Sequence, residues 1–431
     1  MDITIQPGKL RGEIQIIPSK SQAHRYLICA AFANNETLLI CPETNRDIEA
    51  TVDCLNALGA DIRRTGDGYS IDPIEAIPVT AILDCHESGS TLRFMLPIVG
   101  ALGVDATFRM TGRLPQRPLS PLWEEMERMG CTLTRPTDDT IRCTGKLRSG
   151  EYTIDGGVSS QFITGLLFAT ALMEEKSNIN ITGHLESKPY VNMTKQALEV
   201  FDAPRFHSPG NLQVEGDWSN GAFFLAAKEL ANNLSVLGLN PASAQGDRVV
   251  IDILDQLEAG TPIVSATDIP DLVPILAVVA GAKHGAVFTD IRRLRLKESD
   301  RVASTVAMIE NLGGKALSSD NTLTVYGTGY LGGTVDAVND HRIAMATAIA
   351  STIAMIENLG GKAQATENTL TVYGTGYRGG TVDTVNDHRI AMAAAIASTA
   401  CREPVTILGA QCVQKSYPTF WEEFKRLGGK I

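Results

Sequence analysis

The sequence predicts an α/β fold in which apolar helices lie inside layers of sheet. Two observations point to it. Six times along the chain, a cluster of Ser, Gly, Asp or Asn leads into a helical stretch that is apolar nearly all round, at spacings of roughly 50–70 residues. A helix without a polar face has to be buried. Between these stretches lie short alternating or β-branched runs of the kind that form strands. Helix and strand therefore alternate along the whole chain as a degenerate sixfold repeat of supersecondary units, helices inside.

The junctions come in order. Ser19-Lys20-Ser21 precedes Tyr26–Phe32, and Glu87-Ser88-Gly89-Ser90 precedes Leu92–Leu102. Ser159-Ser160-Gln161 precedes Phe162–Met173, and Asp217-Trp218-Ser219 precedes Ala222–Leu230. Ile269-Pro270-Asp271 precedes Leu272–Ala280, and an Asn-Asp-His-Arg stretch precedes Ile343–Ala350. The strand candidates are Thr80–Cys85, Ala106–Thr111, Tyr152–Ile154, Asn178–Thr182, Ala286–Thr289 and Thr322–Tyr326. The ordinary role of a polar start is an N-cap, whose side-chain oxygen meets an orphan backbone N–H. Several of these starts also carry Lys or Arg within a turn. A cation has no capping value there, whereas a helix N-terminus is a ready anion site.

Composition narrows the function. A chain of 431 residues, 44% of them apolar, can build two or three domains with buried cores. A formal charge of −11 argues against a general nucleic-acid binder, although a local positive cleft fits within an acidic body. The eight cysteines, at 29, 41, 54, 85, 131, 143, 401 and 412, form no Cys-x-x-Cys pair and read as reduced thiols, with neither zinc nor a disulfide framework. The first residues do not read as a signal peptide, and the longest apolar stretches fall short of the ~20 residues that span a bilayer. The expectation is a soluble cytoplasmic protein that binds neither membrane nor nucleic acid.

Cationic residues gather at the junctions: Lys20, Arg25, Arg93, Arg117, Arg295, Lys297, Arg301, Arg342 or Arg389, and Lys415. Asp271, Glu298, Asp300 and Asp340 or Asp387 are interleaved with them. Most such charges are simply solvated, but residues 294–301 pack five charged side chains into eight positions beside an apolar strand. A site for two multiply charged anions, with a carboxylate to move a proton, needs that density. Gly327-Thr-Gly-Tyr-Leu-Gly332 and Gly374-Thr-Gly-Tyr-Arg-Gly379 match a dinucleotide fingerprint, but no helix opens directly on them, so they read as turns.

With these motifs in this order, the chain resembles the 5-enolpyruvylshikimate-3-phosphate synthase family, the 3-phosphoshikimate 1-carboxyvinyltransferases, nearly end to end. The resemblance rests on Pro18-Ser-Lys-Ser-Gln-Ala-His-Arg25, Glu87-Ser-Gly-Ser-Thr-Leu-Arg93, Arg117-Pro118, Ser159-Ser160-Gln161, Ser187-Lys-Pro-Tyr190, Asp271, Lys297-Glu298-Ser-Asp-Arg301, Asp-His-Arg and Lys415. It implies a two-domain inside-out α/β barrel of repeated βαβαββ-type units, three in each domain, closing on substrate. One domain would span 13–218, on the phosphoshikimate side. The other would join 1–12 to 219–431, with the hinge near 12–20 and 214–222.

The resemblance also implies the chemistry. Shikimate 3-phosphate would meet Lys20, Ser21, Arg25, Ser159, Ser160, Gln161, Ser187, Tyr190, Asp271 and Lys297. Phosphoenolpyruvate would meet Lys20, Gly89, Arg117, Gln161, Arg301, Arg389 (or Arg342) and Lys415. Asp271 would be the general base, with Lys20 or Glu298 protonating the substrate carbon, and no metal or organic cofactor would take part. The working form would be a monomer. One alternative is the sibling that transfers enolpyruvyl to UDP-N-acetylglucosamine. It carries a reactive cysteine in a loop that here reads Leu114-Pro115-Gln116-Arg117-Pro118. The other is an anion-binding homologue whose rearrangements have impaired catalysis.

The rearrangements are specific. Ala203–Gly210 and Leu257–Pro262 stand where the family usually carries longer β segments, which puts local sheet pairing there in doubt. Residues 303–349 and 350–396 align without a gap at an offset of 47, with 39 of the 47 positions identical. Asn339–Ala346 thus returns as Asn386–Ala393. One site has room for one Asp-His-Arg. Arg301 to Arg342 spans 41 residues and Arg389 to Lys415 spans 26, so each copy joins one side of the site; the return of Lys415 to the same cleft leans the choice to the second copy, with 343–358 as one long connecting helix.

Overall fold

The computed structural model describes residues 3–5, 11–229, 233–296, 300–311, 314–329, 362–366, 369–373, 380–383, 395, 404–415 and 417–431. The chain divides into two compact units, one of residues 18–216 with 242–246, the other of 1–17, 217–241 and 247–431. Each has its own apolar core.

In the first unit the helices are α1 (Lys20–Ala31), α2 (Arg46–Ala57), α3 (Gly89–Leu102), α4 (Leu122–Arg128), α5 (Ser160–Ala171) and α6 (Lys188–Val200). The second unit contributes α7 (Trp218–Glu229), α8 (Val250–Ala259), α9 (Val273–Ala282), α10 (Arg301–Asn311) and α11 (Phe420–Arg426). The helices expected to be apolar all round are the buried ones. In α3 every residue from Thr91 to Ala101 is buried, and in α9 every residue from Val273 to Gly281. Valine-rich α9 has modest intrinsic helix propensity, so burial of its whole circumference is what stabilises it. The sixth expected helix, Ile343–Ala350, and the long helix over 343–358 lie outside the described residues.

The sheets repeat one plan. Thr80–Asp84 pairs parallel with Asp105–Arg109, which pairs antiparallel with Thr140–Gly145, and that strand pairs antiparallel with Cys131–Thr134. With α3 and α4 between the strands, the unit reads βαβαββ. Ile263–Ser265, α9, Gly285–Thr289, α10, Lys315–Ser318 and Thr322–Tyr326 repeat it with the same parallel and antiparallel order. Around α1 and α2 the plan recurs with its first strand, Asn211–Gln213, supplied from the far end of the unit.

Two units stop short of the closing hairpin. Among the described residues, Glu151–Asp155 pairs only with Asn178–Thr182, and Arg11–Gln15 only with Asn233–Leu237. These are the places where Ala203–Gly210 and Leu257–Pro262 shorten the chain. The doubt over pairing is resolved strand by strand. The hairpins are missing, yet the three-residue strands that follow, Asn211–Gln213 and Ile263–Ser265, still pair with Thr37–Ile40 and Gly285–Thr289.

Both copies of the doubled segment form an antiparallel hairpin in the same register, Lys315 opposite Tyr326 and Lys362 opposite Tyr373. The first hairpin completes a four-stranded sheet, whereas the second forms a sheet of two strands. Gly380–Asp383 of the second copy pairs parallel with Val405–Leu408, whose other edge takes Ile3–Ile5. The described part of the first glycine motif is a turn. Thr328 N–H donates to the Tyr326 carbonyl at 2.8 Å, and a Cβ on Gly327 would lie 2.4 Å from the Lys283 carbonyl. No helix among the described residues is long and apolar enough to cross a membrane.

Candidate active site

Three of the polar junctions cap their helices. Ser88 Oγ accepts from Thr91 N–H, Ser159 Oγ from Gln161 N–H at 3.3 Å, and Asp217 Oδ1 from Asn220 N–H at 2.8 Å. The capping reading holds for these. The cations beside them do something else.

In the first unit, α3 and α5 approach closely because Gly165 has no side chain. A Cβ there would lie 2.2 Å from the Arg93 carbonyl oxygen. That carbonyl would ordinarily accept from residue 97, which is Pro97 and has no N–H. The close helices bring Arg93 and Gln161 together. Arg93 Nη1 donates to Gln161 Oε1 at 3.2 Å and Nη2 to the Pro118 carbonyl at 3.0 Å, while Gln161 Nε2 donates to Ser90 Oγ at 2.9 Å. Gly89, in the first turn of α3, sits where two guanidinium groups converge. A Cβ on it would lie 2.6 Å from Arg117 Nη1 and 2.6 Å from Arg93 Nη1. Two guanidinium groups at the N-terminus of α3 make an anion cradle.

Arg25 is the second anchor, 2% exposed. Its Nε donates to Thr194 Oγ1 at 2.9 Å, Nη1 to the Ser21 carbonyl at 2.6 Å, and Nη2 to the Tyr190 carbonyl at 2.9 Å and Thr164 Oγ1 at 3.3 Å. The guanidinium also faces the Phe94 ring, 5.3 Å from its centroid. Among the described residues no carboxylate pairs with it. Burial without a counter-charge pulls its pKa down to about 10. A buried cation satisfied only by neutral acceptors is costly by itself and becomes favourable when an anion arrives. Lys20, in contrast, has a partner already: its Nζ lies 2.7 Å from Asp47 Oδ2 in the first turn of α2. Ser187 occupies the N-cap position of α6 in a left-handed conformation (φ 54°), without a side-chain cap hydrogen bond, and is buried.

In the second unit, Arg301 is 1% exposed and its Nη1 lies 2.7 Å from Asp271 Oδ1. The base candidate and a phosphoenolpyruvate candidate are therefore hydrogen-bonded to each other. Arg295 pairs locally with Asp300 at 3.1 Å, and Asp300 Oδ1 accepts the N–H groups of Val302 and Ala303. Those two charges build the start of α10. Lys297, Glu298, Arg342 and Arg389 lie outside the described residues, as does the side chain of Lys415, whose backbone ends the turn Ala410–Lys415.

The sequence reading brought Lys20, Ser21, Arg25, Gly89, Arg117, Ser159, Ser160, Gln161, Ser187 and Tyr190 forward, and all lie in the first unit. It missed Asp47, Thr164 and Thr194. Asn45 accepting from Asp47 and Ile48 N–H, with Asp47 and Glu49 in the first turn, is a cap signal legible in the sequence that would have located α2.

Comparison with known proteins identifies the family. The EPSP synthase (3-phosphoshikimate 1-carboxyvinyltransferase) family matches residues 5–262, 260–356 and 350–424. The 3-phosphoshikimate 1-carboxyvinyltransferase of Clostridium kluyveri is 34% identical, over 100% of this chain and 98% of its own length. That of Clostridium beijerinckii is 33% identical, over 99% and 98%. Among solved structures, EPSP synthase from Acinetobacter baumannii superposes with a TM-score of 0.70 at 20% identity, over 99% of this chain and 98% of that one. The enolpyruvyl transferase NikO from Streptomyces tendae does so with a TM-score of 0.53 at 14% identity, over 99% and 97%. The two structures share the fold, an α/β architecture of repeated units. Full-length matches in sequence place this chain in the EPSP synthase family.

Proposed function

We propose that the chain transfers the enolpyruvyl group of phosphoenolpyruvate to the 5-hydroxyl of shikimate 3-phosphate and releases phosphate, the shikimate-pathway reaction of its family. The observation that carries the site is the convergence of Arg93 and Arg117 on Gly89 at the N-terminus of α3. Phosphoenolpyruvate would bind there, with Lys20, Gln161, Arg301, Arg389 and Lys415. Shikimate 3-phosphate would supply the counter-charge that Arg25 lacks, held also by Lys20, Ser21, Ser159, Ser160, Gln161, Ser187, Tyr190, Asp271 and Lys297.

Asp271 takes the hydroxyl proton as that oxygen attacks C2 of phosphoenolpyruvate. Lys20 or Glu298 delivers a proton to C3. The tetrahedral adduct then loses a C3 proton and breaks its C2–O bond to phosphate, restoring the alkene. Lys20, Arg117 and Lys415 stabilise the departing charge. Orientation of Asp271 by buried Arg301 supports the base role, since a base acts only within hydrogen-bond reach. The pairing of Gly380–Asp383 with Val405–Leu408 supports Arg389 over Arg342, because it ties the second copy to the strand that leads to Lys415. The same reading puts the enzyme in the cytoplasm as a monomer, and light scattering on purified protein tests the oligomeric part. The decisive assay mixes folded protein with both substrates and follows inorganic phosphate. No release above background overturns the proposal.

A further inference from the structure

Behind the turn that carries Gly89 runs a line of buried polar side chains that no substrate contact accounts for. His24 Nδ1 lies 2.7 Å from Thr51 Oγ1, Thr51 Oγ1 lies 2.8 Å from Thr91 Oγ1, and Thr91 Oγ1 lies 2.8 Å from Ser88 Oγ. All four residues are at most 1% exposed. They come from α1, from α2, and from α3 with its cap. Thr91 Oγ1 also reaches the Asp47 carbonyl at 3.4 Å, in the turn whose carboxylate holds Lys20. On its other side the imidazole meets the edge of Phe94, with ring centroids 6.2 Å apart.

His24 Nε2 is buried and has no hydrogen-bond partner among the described residues. That orphan fixes the tautomer. A buried N–H without an acceptor is rarer and more costly than a bare lone pair, so the proton belongs on Nδ1. Nδ1–H then donates to Thr51, which leaves the Thr51 hydroxyl hydrogen for Thr91 and the Thr91 hydroxyl hydrogen for Ser88. Ser88 Oγ accepts both this O–H and the Thr91 N–H, which fixes its rotamer. The charged groups facing the ring are Asp47 from α2 and Lys20 and Arg25 from its own helix. Burial outweighs the opposing pull of Asp47; Lys20 and Arg25 act in the same direction as burial, and the ring stays neutral, its pKa pushed down to about 3.

We propose that His24, Thr51 and Thr91 are positioning residues, a one-way donor chain that locks the first turn of α3, and so Gly89, onto α1 and α2, the helices that carry the Lys20–Asp47 pair. Its kinetic consequence rests on the proposed function; the tautomer and the direction of donation do not. A polar core without this role would also be buried, so the test needs readouts that simple packing leaves unmoved.

Nitrogen-15 spectra of imidazole-labelled full-length protein, with His24→Asn to assign the signal, should show His24 protonated at Nδ1, bare at Nε2 and unchanged from pH 8 to 5. A Nε2–H form, or titration near its ordinary pKa of about 6.5, overturns the proposal. In steady-state kinetics, Thr51→Val, which keeps the shape and removes the hydroxyl, should raise KM for phosphoenolpyruvate about tenfold. It should leave kcat and KM for shikimate 3-phosphate within about twofold, and Thr51→Ser should restore the first value. Equal rises in both KM values, or no rescue by serine, overturn it. If the unaltered protein releases no phosphate, the catalytic reading fails while the spectra still judge the chain. If Thr51→Val does not fold, the tautomer in the unaltered protein decides.

Discussion

Gly165 packs against the carbonyl of Arg93, the one carbonyl in α3 that Pro97 leaves without its usual donor, at a distance that excludes even a methyl group. Gly165→Ala should therefore destabilise the first unit by about 1–3 kcal/mol or more, because helix backbone cannot retreat as a side chain can. Urea titration of the variant checks this. A midpoint equal to that of the unaltered chain would show that α3 and α5 do not depend on the contact.

At Gly89 the same substitution meets the ends of two flexible side chains instead of backbone. Gly89→Ala should leave the unfolding midpoint nearly unchanged. By displacing Arg93 and Arg117 it should raise KM for phosphoenolpyruvate about tenfold or more, with shikimate 3-phosphate little affected. A variant with unaltered KM for phosphoenolpyruvate would remove this turn from the site.

Asp271→Asn keeps the shape of the side chain beside Arg301 but removes the proposed base. Turnover should fall by about 10²–10⁴-fold, the usual worth of a positioned general base, with phosphoenolpyruvate binding little changed. Single-turnover phosphate release measures it, and near-normal turnover would exclude Asp271 as base.

His24 contributes a pH dependence whose sign is fixed. Its folded pKa is lowered to about 3 from 6.5, so the unfolded chain takes up a proton first as pH falls. The contribution is intact above about pH 6.5 and is lost progressively between there and about pH 3, up to roughly 5 kcal/mol in all. Urea midpoints measured across that range should fall less steeply in His24→Asn than in the unaltered protein. Parallel slopes would mean the ring titrates freely in the fold.

Arg342→Ala and Arg389→Ala separate the two copies. The proposed function expects Arg389→Ala to lose turnover by orders of magnitude and Arg342→Ala to keep it. The opposite result would seat the first copy, and two silent variants would remove the doubled Asp-His-Arg from the site altogether.

Most of the fold was legible because the buried helices advertise themselves. Leu92–Leu102 and Leu272–Ala280 have no polar face, and nothing but burial explains such a stretch. Helices α2 and α6 bury only part of their surface, so a search for all-round apolar runs passes over them, and Asp47, Thr51 and Thr194 with them. The cations of the site were visible as residue types at helix starts. Which cation already has a partner was not. That Lys20 is paired and Arg25 lacks a carboxylate among the described residues depends on contacts across 27 to 169 positions of chain, and no local pattern encodes them. Arg295 and Asp300, part of the charge-dense stretch that suggested a site, pair with each other at the start of α10.

The matching registers of the two hairpins carry a last consequence. Each copy closes one hairpin from its own residues, Lys315 opposite Tyr326 and Lys362 opposite Tyr373. Loss of residues 350–396 would leave Ile349 followed by Ala397-Ser398-Thr399, the same triplet that follows it now at Ala350. The duplication is thus reversible by a single recombination between its copies, and cultures that depend on this gene for aromatic amino acids would record, in the frequency of revertants, what the second copy contributes or costs.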